Sequence, residues 1–150
     1  MKERFKLIPA VYLILRRKNE VLLLRRTNTG YQDGKYSLIA GHLDGDELAT
    51  DGMIREAQEE AGIVIFKQDL TLAHIAHRLT RNQVGQERLD LFFECNVWEG
   101  EVTNMEPDKC GDFTWYPVTE LPSETLPLIR RVLADVSTGK NYSEYTVEPE

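Results

Sequence analysis

Hydrophobic residues along the first third of the chain come in short blocks. Residues 5–17 (FKLIPAVYLILRR) and 21–26 (VLLLRR) are rich in Val, Ile, Leu and aromatics, with the polar Lys18-Asn19-Glu20 between them. That alternation predicts a strand, turn, strand unit. Residues 27–35 (TNTGYQDGK) carry two glycines and the Asp33-Gly34 turn signal, which makes them a loop, and Tyr36-Ser37-Leu38-Ile39 reads as a short strand. The period then lengthens. Leu48, Ile54, Ala57 and Ala61 give one apolar side to a helix that Asp46 can cap, Glu47 can begin and Gly62 can end. Gly52 inside that helix costs about 0.5–1 kcal/mol against Ala, so it marks either a close backbone approach or simple tolerance.

Strand patterns return at residues 71–80 (TLAHIAHRLT) and 88–98 (RLDLFFECNVW), separated by a polar Arg81 to Glu87 stretch suited to a hairpin loop. Residues 112–118 (DFTWYPV) suggest a final strand. Leu128, Ile129, Val132, Leu133 and Val136 keep helical spacing after Pro127, with Gly139 past the end. The last residues, NYSEYTVEPE, are expected to be frayed or partner-dependent. Strands before, between and after two helices predict a mixed α/β sandwich, and 150 residues, 41% hydrophobic, suit one domain over residues 1–150.

Charge narrows the classes. The chain carries 18 Lys and Arg against 25 Asp and Glu, a net charge of −7, so the basic footprint of a nucleic-acid binder is absent and no DNA partner is expected. No apolar run is long enough to span a bilayer, and the Met1-Lys2-Glu3-Arg4-Phe5 start lacks an apolar leader, so neither a membrane partner nor export is expected; the expected location is cytoplasmic. Cys95 and Cys110 lack metal-site spacing and are expected to be reduced thiols. A monomer and a homodimer closed by the tail from Gly139 onward both remain open.

The acidic helix holds the candidate chemistry. Glu56 and Glu60 lie four residues apart and point the same way, with Glu59 on an adjoining stripe. Arg55 can offset Glu59 at i,i+4. No base at the corresponding positions relieves Glu56 against Glu60, a repulsion of about 0.2–0.5 kcal/mol. A wet acidic face carries that cost easily, and periodicity alone favours such a face. The sharper reading is a hard-cation site, since Mg²⁺ prefers carboxylate and carbonyl oxygens together with substrate phosphates.

The surrounding residues favour the second reading. Gly41, five residues, Glu47, seven residues, then Arg55-Glu56-Ala57-Gln58-Glu59-Glu60-Ala61-Gly62-Ile63 resembles the signature of the MutT/Nudix hydrolase family, with only Ala57 smaller than the usual aliphatic. The resemblance implies a Nudix-type α/β/α sandwich with a central mixed sheet. It implies Mg²⁺, with Mn²⁺ possible, held by Glu56 and Glu60, by Glu59 directly or through a bound water, and by the Ala40 carbonyl. Glu47 and Arg55 would form a structural pair between loop and helix, and Gly41 and Gly62 would shape the loop and the helix end. The reaction implied is attack of metal-activated water on a nucleoside diphosphate linked to another group X.

Outside the motif, Glu106 is the first candidate for a further metal-binding or catalytic carboxylate, because Glu-Pro-any-Lys followed by Trp and Glu-Leu-Pro looks like a branch of small nucleotide-hydrolysing Nudix enzymes; Glu87 and Glu94 are rivals. Arg25 or Arg26, ending a strand beside the glycine-containing loop, can contact phosphate, and His42 lies inside the motif near the expected phosphate position. His74 and His77 read as strand residues, though His77-Arg78 can edge the pocket. Tyr31, Phe92, Trp98 and Trp115 can stack on a base, although strand aromatics more often serve a core. Arg78 and Thr80 stand where ADP-ribose and diadenosine polyphosphate types resembling this one carry Pro and Tyr. The resemblance therefore points to a nucleoside triphosphate, normal or damaged, as a small-molecule substrate cleaved to the monophosphate and pyrophosphate. A nucleotide sensor without turnover, a nucleotide-sugar hydrolase and an enzyme of capped or 5′-triphosphate RNA are the alternatives, the RNA end being less favoured by the acidic balance.

Overall fold

The computed structural model describes residues 2–81 and 86–147. Among the described residues, eight strands and two α-helices follow one another as β1 (Ile8–Arg17), β2 (Glu20–Arg26), β3 (Tyr36–Ser37), β4 (Ile39–His42), α1 (Ala49–Ala61), β5 (Thr71–Thr80), β6 (Arg88–Cys95), β7 (Cys110–Pro117), α2 (Pro127–Ser137) and β8 (Tyr142–Val147). The sheet is mixed: β1 runs parallel to β6 and β5 parallel to β8, while the other pairings are antiparallel. Its path is β3-β2-β1-β6-β5-β8, with β4 also on β1 and β7 also on β2.

The long strand β1 organises everything else. One edge pairs with β6 from Ile8 to Leu15, and the other is divided, first between Ala10–Leu13 and β4, then between Arg16–Arg17 and β2. β2 and β4 therefore diverge from a common strand, and the space between them opens toward α1. Alternation along β1 serves two cores. Val11, Leu13 and Leu15 pack with Met53, Ala57 and Ala61 of α1, while Ile14, with Tyr12 at its margin, packs with Ile129, Val132 and Leu133 of α2. Two helical layers over a mixed sheet make the α/β/α sandwich. No helix among the described residues is long and apolar enough to cross a membrane.

Four local expectations need correction. Asp46 does not cap α1: the helix begins at Ala49 after Leu48, with no side-chain cap, and Asp46 sits in a turn at φ 67°. The reason is Glu47, whose carboxylate accepts the Asp44 N–H at 2.8 Å and holds the loop closed before the helix can start. The single strand expected over 36–39 is two, because Leu38 is where the chain leaves β2 and crosses to β1. Strand β6 stops at Cys95, short of Trp98. The tail is also ordered as far as Val147, where β8 lies along β5 from Ile75↔Tyr142 to Thr80↔Val147.

Buried His74 explains the tail. Its Nδ1 lies 2.9 Å from the Lys140 carbonyl, which can only accept, so Nδ1 carries a proton, and its Nε2 lies 2.7 Å from the Ser143 hydroxyl. Both partners lie in the segment that the sequence leaves unassigned. β5 and β6 do pair as an antiparallel hairpin, but residues 82–85 of the expected loop, and residues 148–150 of the tail, lie outside the described residues.

Candidate active site

Glycines bring the acidic helix against β4. A Cβ on Gly41 would fall on the Glu56 carboxylate, and one on Gly52 would strike Leu43 and crowd Glu47. Gly52 is thus a close backbone approach rather than a tolerated residue. Gly62 ends α1 in the left-handed region at φ 68°, its N–H on the Gln58 carbonyl. Its missing side chain leaves room for Met105, whose Sδ would stand 3.2 Å from a Cβ there. The segment before β7 docks accordingly, Thr103 N–H on the Ala61 carbonyl and Met105 N–H on the Glu60 carbonyl. Asn104 accepts the Glu106 N–H at 3.1 Å and donates to the Cys110 carbonyl at 2.7 Å. This loop delivers Glu106 to the end of the acidic helix.

One pocket of about 270 Å³ collects the result. Leu24, Arg26, Thr29, Leu38, Ala40, Glu56, Glu60, Glu106, Lys109 and Cys110 line it. Ala40 turns its backbone outward: its N–H points at Glu60 Oε2, 3.4 Å away, and in an antiparallel strand the carbonyl of the same residue faces the same side. The sequence candidates sort by distance from this pocket. Arg26 lines it, whereas Arg25, on the opposite face of β2, lies over the Tyr36 ring at 5.7 Å. Glu59 is 53% exposed and 3.3 Å from Arg55, outside the pocket. Glu94 is taken up by Arg16 at 2.8 Å and Glu87 lies 3.5 Å from His77, so neither rival competes with Glu106. His42 points to the other side of β4, where Arg88 Nη1 donates to its Nε2 and burial, then Arg88, lower its pKa.

Arg55 is the hub that sequence spacing underestimates. It donates to Glu47 from Nη2 at 2.7 Å and from Nε at 3.1 Å, to Glu56 at 2.8 Å, to Glu59 at 3.3 Å, and to the outward carbonyl of His42 at 3.2 Å. Glu56 is therefore relieved by a neighbouring base after all, through i,i+1 rather than helical spacing. The Arg55 hydrogen bond, then the Asp44 N–H, hold the Glu47 carboxyl below its usual range, and Glu47 in turn raises Arg55. Glu60 has no such partner. Burial, then the Glu56 charge, push its pKa up to about 8, opposed by the Ala40 N–H and, less, by Arg26. Burial also raises Glu56, partly offset by Arg55. A thiol shares the pocket: burial, then Glu60, push Cys110 to about 11, so it stays protonated at neutral pH.

The donor chemistry fits a divalent ion. Buried acids that repel each other, an outward carbonyl and an arginine for the counter-anion are the surroundings that a hard cation bound with phosphate resolves. Among the described residues no three acidic, His or Cys side chains close into a cage. An open set of few carboxylates suits an ion that keeps waters and shares substrate oxygens.

Comparison with known proteins agrees on the origin of this arrangement. Residues 6–136 match the model of the NUDIX domain. The chain belongs to the NUDIX domain family. Nudix hydrolases generally use divalent metal ions. The fold resembles the MutT NUDIX hydrolase of Burkholderia pseudomallei, with a TM-score of 0.77 at 22% identity over 86% of this chain and 97% of that one. It likewise resembles the MutT protein of Methanosarcina mazei Go1, with a TM-score of 0.73 at 26% identity over 91% and 97%. Among curated proteins, the NAD-capped RNA hydrolase NudC of Pseudomonas aeruginosa (strain LESB58) is 27% identical over 117 residues, 78% of this chain and 38% of that protein. The NudC of Vibrio parahaemolyticus is 25% identical over 41% of its own length. The chain thus spans about two-fifths of the curated relatives it matches.

The glycine contact yields a direct test. Gly41→Ala is expected to displace the Glu56 carboxylate and lower kcat by about a hundredfold, the scale of a misplaced catalytic group. The thermal midpoint should move far less, because the atom displaced is the far end of a side chain. Steady-state kinetics beside thermal melts separate the two effects.

Proposed function

We propose that the chain hydrolyses a nucleoside triphosphate, normal or damaged, to the monophosphate and pyrophosphate with Mg²⁺ or Mn²⁺. The observation that carries this reading is the convergence of Glu56, Glu60, Glu106, the Ala40 carbonyl face and Arg26 on one small pocket. When bound, divalent ions neutralise the diphosphate, polarise its oxygens and make water acidic enough to attack near neutral pH. Glu60, Glu56 and Glu106 supply the anionic ligands and Ala40 the carbonyl. Arg26 orients a phosphate oxygen, its Nε anchored on the Tyr31 carbonyl at 3.0 Å. Arg55 fixes the Glu56 carboxylate at 2.8 Å, and Glu59, outside the pocket, serves at most an outer ion or its water.

A second reading comes from the curated relatives, whose name assigns them NAD-capped RNA. The expectation against an RNA end finds no support among them. Release of pyrophosphate or phosphate with Mg²⁺ over a panel of nucleoside triphosphates, nucleotide sugars, NAD and NAD-capped RNA separates these readings. Pyrophosphate from a triphosphate is the expected result; cleavage confined to NAD or capped RNA would overturn it. Binding without turnover would favour a sensor.

A further inference from the structure

The carboxylates face one side of β4, and the other side of that strand has the opposite sign. Gly41 abuts Glu56, so side chains at 40 and 42 project toward the α2 layer, where Tyr12 is the strand partner of Ala40. There Arg88 donates to His42. Arg78 stands directly opposite Arg88 across the β5–β6 pair, and like charges so placed are destabilising.

Only one of the two arginines is neutralised. Arg78 holds Asp90 with Nε at 2.6 Å and Nη2 at 3.3 Å, and its Nη2 also reaches the Tyr12 hydroxyl at 3.3 Å. Asp90 is wholly buried beneath it. Among the described residues Arg88, half-exposed, has no carboxylate at ion-pair distance. Among the described residues, the Tyr145 hydroxyl, on the strand position that pairs with Arg78, is buried without a hydrogen-bond partner.

This cationic face continues from the pocket. Tyr31, 62% exposed, lies 5.7 Å from the Arg26 guanidinium, and its phenol is near enough to Tyr12 and Arg78 to bear on the electrostatics of both. Asp33 pins that loop by accepting the Thr29 and Gly30 N–H groups, each at 3.1 Å. The pocket of about 270 Å³ is itself small for a whole nucleotide, so the rest of the substrate extends beyond it. Two residues of strand carry His42 about 7 Å past Ala40. An anion at Arg88 is then a different phosphate from those at the carboxylates.

We propose that Arg88, held by His42 on the α2 side of β4 with Arg78 opposite it, is a second anion-binding position, which receives the terminal phosphate of a nucleoside triphosphate. The proposal rests on the hydrolase reading above. A guanidinium gives such a phosphate paired, charge-assisted hydrogen bonds and relieves the Arg78–Arg88 repulsion.

The test is equilibrium binding of methylene-bridged, non-hydrolysable nucleoside triphosphate and diphosphate analogues with Mg²⁺. The wild type should prefer the triphosphate by about tenfold, the scale of one added charge-assisted contact. Arg88→Gln should abolish that preference while binding the diphosphate as the wild type does, and Arg88→Lys should retain part of it. An unchanged ratio in Arg88→Gln, no preference in the wild type, or equal loss for both analogues overturns the proposal. Turnover of diphosphate-linked substrates with an unchanged ratio sinks the second position alone. A lost ratio in a protein that hydrolyses nothing on the substrate panel sinks the hydrolase reading alone.

Discussion

Replacing Glu60 with Gln is expected to lower turnover by about a thousandfold and to make the metal-free protein less sensitive to alkaline pH. The first effect follows from the charge that Glu60 would supply to ion and diphosphate under the proposed function; losing an electrostatic contact to the reacting centre commonly removes two to three orders of magnitude. The second follows from burial. In the unfolded chain Glu60 titrates near 4.5 and in the folded chain near 8. Between those values the folded protein holds a proton that the unfolded chain has released. Its contribution is therefore fully present below about pH 4.5 and lost as pH rises through about 8. In a chelator the wild-type melting temperature should fall from about pH 5 to about pH 8.5, and Glu60→Gln should flatten that slope. Added Mg²⁺ should restore stability to the wild type far more than to the variant, because an ion that binds only the folded state stabilises it by mass action. Normal turnover in Glu60→Gln, or an equal slope in both proteins, would remove Glu60 from the ion site.

Much of this site is legible along the chain, for reasons that differ by residue. Helical spacing, a local rule, sets Glu56 and Glu60 on one face, but spacing alone reads as a solvated face; it is the motif residues around them, fixed at short range, that single them out. Arg26 against Arg25 is not legible. The choice depends on which face of β2 meets the pocket, and that is set by β7 and β3 pairing from far along the chain. His42 sits within the motif, yet strand alternation at Gly41 turns it away, toward Arg88 forty-six residues on. The same long-range dependence hides the Arg78–Arg88 pair, whose signal is the antiparallel register rather than composition. The tail is illegible for a similar reason. Tyr142–Val147 looks polar and frayed alone, and becomes a strand only because His74 and the open edge of β5 are waiting for it.

The aromatic candidates divide on the same principle. Phe92 stacks on Tyr12 at 4.5 Å as core, and Trp98 and Trp115 stack on each other at 5.7 Å with Arg17 over Trp115. Each of these rings is already occupied. Tyr31 alone of the four is left facing solvent beside the pocket, because Asp33 holds the loop in a shape that includes Asn28 and Gln32 at positive φ. Backbone at φ 53° in two non-glycine residues is a conformation the surrounding contacts must impose, as is common where a loop presents a side chain to a ligand.

Glu56 and Glu59 offer the other large effect, because the sequence places both at the ion site and the structure puts only Glu56 in the pocket. Both receive a hydrogen bond from the same Arg55 nitrogen, but Glu56 is 9% exposed within the pocket and Glu59 lies outside it. Glu56→Gln is expected to lower kcat by about a thousandfold, since it removes a pocket charge and breaks the contact through which Arg55 aims it. Glu59→Gln should cost less than about tenfold, the range of an exposed ion pair that solvent replaces. Glu106→Gln should fall between them, as a pocket carboxylate carried on a loop rather than on α1. Measured side by side with thermal melts, the order Glu56, Glu106, Glu59 checks the geometry of the site. A Glu59 variant as impaired as the Glu56 variant would mean that α1 turns its outer face inward once ions load, and that the pocket of Glu56, Glu60 and Glu106 is only part of the working centre.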